Sequence, residues 1–99
     1  MKKYKSLQAL FRDKRNWTKH TYARDIKGRE IWVCHPRAVS FCLSGALTLI
    51  YPHTNKRKVL LRAIKRVFPT TVTTSLPGFN DAETTTITDI RKVVKAAKL

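Results

Sequence analysis

The sequence predicts a mainly α fold: one small domain over residues 1–99, with about four helices and a short β-hairpin ahead of a central buried helix. Three observations predict it. Residues 36–51, PRAVSFCLSGALTLIY, form a long stretch with neither an acidic residue nor a lysine. Apolar residues recur at helical spacing in three further segments. A chain of 99 residues with 42% hydrophobic content has the material for one core and too little for two.

In the central stretch Val39, Cys42, Leu43, Ala46, Leu47 and Ile50 share one helical face. Ala38, Phe41 and Leu49 widen it, leaving Ser40, Ser44 and Thr48 as a narrow polar stripe. A helix so apolar needs cover from more than one side. Its apolar run falls short of the roughly 18 to 20 residues that span a bilayer, so a buried core helix over residues 36–51 is expected. Gly45 in mid-helix costs about 1 kcal/mol relative to Ala, which implies a neighbour packed close against it.

Ahead of it, Tyr4, Leu7, Leu10 and Phe11 form a stripe on a basic helix expected over residues 1–15. The tetrapeptide 25–28 opens with a turn-favouring Asp25 and closes with Gly28, and its flanks are rich in aromatic and β-branched residues. Residues 21–33 therefore read as a β-hairpin whose Tyr22, Ile31 or Trp32 leans on the helices, because a lone hairpin is marginal in water. Pro52 ends the core helix and Thr54 is placed to cap the next, over residues 55–68, with Leu60, Leu61, Ile64, Val67 and Phe68 inward. After Pro69 an irregular connection leads to a C-terminal helix over residues 81–98. It opens at Asn80 and Asp81, with Thr84 to Thr86 as alternative caps, and its acids lie early and its cations late, which suits the helix dipole.

The formal charge of +15 is unevenly held: residues 1–66 carry 17 Lys and Arg against Asp13, Asp25 and Glu30. Self-repulsion of that size disfavours a compact state and is relieved by an anionic partner. The 55–68 helix concentrates the problem, with Lys56, Arg57, Lys58, Arg62, Lys65 and Arg66 and no acid among them. Like charges at i, i+4 oppose helix formation by a few tenths of a kcal/mol per pair, so helix stability does not explain them. Phosphate contact does, with Arg24, Lys27 and Arg29 of the hairpin and Arg12, Lys14 and Arg15 of the first segment as further contacts. Tyr22, Trp32 and Trp17 lie near these cations and have the chemistry to stack on bases, but a core this small is expected to claim its large aromatics.

No zinc-finger, glycine-rich phosphate loop or RNA-recognition signature is present, so binding by shape and charge is favoured over sequence reading. Cys34, His35, Cys42 and His53 match no zinc-site spacing, and no acidic orienter accompanies a Cys/His pair; no metal, cofactor or catalysis is expected. Two cysteines make no disulfide framework and the N-terminus lacks the apolar core of a secretory signal, which points to a reduced, cytoplasmic protein with no membrane contact.

Trp17, then Ala23-Arg24-Asp25 with Gly28, then Pro36 with Cys42-Leu43-Ser44-Gly45-Ala46-Leu47, then Phe79-Asn80-Asp81 and a terminal amphipathic helix resemble a family of small uncharacterised bacterial and phage proteins. The resemblance covers roughly residues 16–98. It implies a shared scaffold and a phage context, with host cytoplasm as the location. The expected function is a small non-enzymatic protein contacting nucleic acid or a nucleoprotein complex through its cationic face. The rival is a phage inhibitor or adaptor that docks on an acidic host protein such as a defence enzyme, where positive charge speeds association.

Overall fold

Most of the helices begin where a side chain accepts a hydrogen bond from the first turn, and those caps set the element boundaries. In the computed structural model, which describes residues 4–99, Ser6 Oγ accepts from the Ala9 amide and starts α1, Leu7–Leu10. Asp13 caps a 3-10 turn, Lys14–Asn16. Cys42 Sγ accepts from the Gly45 amide at the head of α2, Leu43–Ile50. After α3, Lys56–Val67, Ser75 caps α4, Leu76–Asp81, with a proline in its first turn. Thr86 and Asp89 form a reciprocal capping box on α5, Ile87–Ala97. With strands β1, Ala23–Arg24, and β2, Ser40–Phe41, paired antiparallel, the described residues make a mainly α fold of five α-helices.

One apolar cluster joins every helix: Leu7, Leu10 and Phe11 of the first segment meet Leu43, Ala46 and Ile50, Leu60 and Ile64, Leu76 and Phe79, and Ile90, Val93 and Val94. α3 packs on α5, α2 on α4, and α1 on both α2 and α5. Leu99 is buried too; its carbonyl accepts from the Leu7 amide at 2.7 Å and from Tyr51 Oη at 3.0 Å.

Three expectations need correction and one, the hairpin, holds. The central helix starts at Leu43, not at residue 36, because Ser40 and Phe41 pair with Arg24 and Ala23. Amides on either side join that pairing, Val39 to the Arg24 carbonyl at 2.9 Å and Cys42 to the Tyr22 carbonyl at 3.2 Å, and Val39 is 40% exposed instead of core-facing. The 21–33 hairpin forms as expected, with the Gly28 amide bonded to the Asp25 carbonyl, the Asp25 amide to the Arg29 carbonyl, the Ile31 amide to the Ala23 carbonyl and an antiparallel β-bridge between Arg24 and Glu30, while β2 pairs along the other edge of β1. The first helix is one turn long because Ser6 caps it late and Phe11 ends it; residues 1–3 lie outside the described residues, while the stripe of Leu7, Leu10 and Phe11 is fully buried. The C-terminal helix is two: Asn80 and Asp81 end α4, and the alternative cap Thr86 opens α5.

Gly45 shows why the central helix carries a glycine. A Cβ there would overlap the Tyr22 carbonyl oxygen and lie 3.3 Å from Val33 Cγ2. The backbone entering β1 thus rests directly on α2. Beside this contact, the fully buried Asn80 joins three segments. Its Oδ1 accepts from Trp17 Nε1 at 2.7 Å and the Leu43 amide at 3.1 Å. Its Nδ2 donates to the Thr18 carbonyl at 3.0 Å and to Asp81 Oδ1 at 2.9 Å, and that same oxygen accepts from the His20 amide.

Gly45→Ala gains about 1 kcal/mol of helix propensity but forces α2 away from an unyielding backbone carbonyl. A net loss of at least about 1 kcal/mol is expected, read as a lower urea midpoint at unchanged slope. Asn80→Ala leaves the Leu43 and Trp17 donors without their acceptor and is expected to cost about 3 kcal/mol in the same measurement. Asp25, whose carboxylate accepts from the Arg29 and Lys27 amides and from Arg29 Nε, has its pKa lowered chiefly by the Arg29 amide bond. A depressed carboxylate stabilises the fold above its unfolded pKa, and that stability is lost as pH falls through the folded value. The thermal midpoint of the wild type should therefore exceed that of Asp25→Asn at neutral pH, and the gap should close as pH drops below the usual carboxylate range.

Candidate nucleic-acid interface

The rotation of α3 is fixed by burial of Leu60, Ala63 and Ile64. Side chains at 57, 58, 62, 65 and 66 are consequently exposed, Lys56 is half-buried, and i, i+4 steps from 58 to 62 to 66 align the charges along one ridge. Arg57, Lys58, Arg62 and Lys65 form no side-chain hydrogen bond or ion pair with the described residues. Arg66 is different: its Nη2 donates to the Ala96 carbonyl of α5 at 3.0 Å. The head of α3 is unusual as well. Asn55 makes no side-chain cap bond, Thr54 Oγ1 reaches the Lys56 amide only at 3.4 Å, and no acid lies in a first turn that holds three cations. Positive charge at the positive end of a helix dipole is unfavourable to the helix and favourable to an arriving anion.

The hairpin cations divide. Arg24 is a scaffold residue, with Nε donating to Thr18 Oγ1 at 2.8 Å, Nη1 to the Gly28 carbonyl at 3.0 Å and Nη2 to the Lys19 carbonyl at 3.1 Å. Arg29 pairs through Nε with Asp25 Oδ2 at 3.0 Å, yet its side chain is 65% exposed. Lys27 is exposed.

In the first segment Arg15 is bound to Asp13 through Nε and Nη2, the latter at 2.8 Å. That side-chain bonding holds the Asp13 carboxyl down at about 2. Arg12 and Lys14 line a shallow cleft of about 530 Å³ with Tyr4, Asn16 and Arg91. Arg91 was expected to serve the dipole of its own helix; instead its Nε and Nη2 donate to the carbonyls of Phe11 and Arg12, each at 2.8 Å. Among the described residues no bond or ion pair ties the hairpin or first-segment cations to those of α3.

The aromatic residues also separate. Trp17 is half-buried, bonded to Asn80, with Lys19 Nζ 5.4 Å from its ring centroid. Of the three residues expected to lean on the helices, Ile31 does so, whereas Tyr22 and Trp32 are 59% and 80% exposed. The contact with the core falls to Ala23, Ile31 and Val33. Among the described residues both cysteines are free, Cys34 exposed and Cys42 buried with its thiol pKa pushed up by that burial. Also among them, no three His, Cys, Asp or Glu side chains gather at metal-binding range, and no helix is long and apolar enough to cross a membrane.

No curated protein and no solved structure matches this chain. A family model does, described as a family of unknown function, DUF6197, and the match runs over residues 5–98. It takes in the Trp17, Cys42, Gly45 and Asn80 positions that hold the fold together as well as the whole of α3. The chain belongs to the DUF6197 family of unknown function.

Proposed function

We propose that this is a non-enzymatic binding protein that contacts nucleic acid, alone or within a nucleoprotein complex, through the exposed ridge of α3. The observation that carries the reading is the contrast within α3. Its inner face is committed to the core, whereas Arg57, Lys58, Arg62 and Lys65 are exposed and have no partner among the described residues. Those charges cost helix stability at the first turn and along the ridge, and phosphates would relieve both costs. Lys27, Arg29, Arg12 and Lys14 are further exposed contacts, while Arg24, Arg15 and Arg66 already bond within the molecule. The resemblance noted in the sequence motifs supports a bacterial or phage setting with action in the cytoplasm.

The second reading, docking on an acidic host protein, draws on the same charges and on exposed Trp32, since tryptophan is enriched at protein interfaces. Fluorescence anisotropy with DNA and RNA oligomers across a salt series separates the two. Four phosphate contacts from α3 predict a log–log salt slope of about −3.6 on duplex DNA. Arg62→Glu with Lys65→Glu should make that slope shallower by about two and weaken binding about tenfold per lost contact near 0.1 M salt. Both sites are exposed, so far-UV circular dichroism should be unchanged. Absence of binding to any oligomer at low salt would exclude the nucleic-acid reading and favour the protein partner.

A further inference from the structure

Trp32 and Tyr22 line one groove of about 490 Å³, with Thr21, Glu30, Ile31 and Val33 as its other walls. The way it is held makes it a platform. Residues 31–33 alternate half-buried, exposed, half-buried, and Ile31 and Val33 pack against the core. Ala23 beside Tyr22 is fully buried, and the Tyr22 carbonyl and Val33 side chain both lie against Gly45 of α2. Backbone on each side of the groove is therefore anchored on the central helix. The two largest side chains point away from that anchor, where burial gives them nothing.

What such a groove takes is narrowed by its charges. Glu30 in the wall is an acceptor-only carboxylate that repels phosphate and attracts N–H donors. Lys27 and exposed Arg29 lie on the turn immediately before it. A nucleotide meets both demands when its base enters and its phosphate stays outside: the base offers a π-face to the aromatics and, in most bases, amino groups to Glu30, while the phosphate meets the turn cations. Bases stacked inside a duplex cannot do this.

We infer that the Tyr22–Trp32 groove stacks an unpaired nucleobase, so that the protein engages single-stranded segments through a contact it cannot make to a duplex. This rests on the α3 reading for its backbone affinity and adds the class of nucleic acid. The test compares the wild type, Trp32→Ala, Trp32→Phe and Arg62→Glu with Lys65→Glu. Each is titrated against a fluorescein-labelled unstructured single strand and a duplex of equal length, with thermal melts as a folding control. Trp32→Ala should lose about tenfold in single-strand affinity while its duplex affinity stays within about twofold, and Trp32→Phe should recover most of the loss. Single-strand addition should quench tryptophan emission in the wild type and not in Trp32→Ala, because Trp17 is bonded inside the frame. If Trp32→Ala binds every oligomer like the wild type while the α3 double variant is weakened, the groove proposal is overturned and the ridge survives. Equal losses on both substrates also overturn it, and no binding by any form removes ridge and groove together.

Discussion

A single buried carboxamide sets the geometry on which both surfaces depend. Asn80 faces two groups that can only donate, the Trp17 indole N–H and the Leu43 amide, so its oxygen must point to them and its NH2 to the Thr18 carbonyl and Asp81. All of its ordinary hydrogen-bonding capacity is used inside a site with no access to water. That matters because an unmet partner there costs the full desolvation of the group. The consequence is positional: the end of α4, the chain entering β1 and the first turn of α2 are locked together. α2 can then start only where it does, and Gly45 meets the Tyr22 carbonyl.

The charges divide along the same line between frame and surface. Arg24, Arg66 and Arg91 donate to backbone carbonyls, Arg15 pairs with a nearby carboxylate, and Arg29 gives its Nε to Asp25 while its side chain stays exposed, so these cations serve the fold. α5 follows ordinary helix chemistry, with a capping box and Asp89 at its head and Lys95 in its last turn. α3 has neither a side-chain cap nor an acid at its head, yet it packs against α5 as its principal neighbour. The two adjacent helices thus differ at their heads, and α3 exposes Arg57, Lys58, Arg62 and Lys65 without a partner among the described residues.

Local signals were legible in the sequence. The stripe of Leu7, Leu10 and Phe11, the inward face of α3, the glycine that required a close neighbour and the Asp25–Gly28 turn are all present, because each depends on residues a few positions apart. Signals that depend on distant backbone were not. Residues 36–42 have helical periodicity, but residues 39–42 pair with residues 22–24, and the ladder overrides the pattern. Arg91 reads as a helix-terminus cation until its acceptors, about 80 positions earlier in the chain, are known. Ser6 and Ser75 are caps that the sequence displayed openly; apolar periodicity extended the first helix across one and the loop pattern around Pro77 concealed the other. For Tyr22 and Trp32 the general rule that small cores consume their aromatics failed, because Ala23, Ile31 and Val33 make the core contact of this segment while the Tyr22 carbonyl and the Val33 side chain lie against Gly45.

The separation of frame from surface gives the charge its meaning. None of the exposed cations of α3 touches the Asn80 node, the Gly45 contact or the caps of α2, α4 and α5. Removing them would relieve repulsion within α3 and leave each of those interactions in place. A fold selected for stability alone has no reason to keep them, and chance exposure of basic residues does not concentrate them on the one helix whose head lacks a side-chain cap and an acid. An anion that binds along α3 would supply the missing counter-charge, linking binding to stability: in its presence the thermal midpoint rises, with the logarithm of the ratio of its concentration to its dissociation constant once that ratio is large.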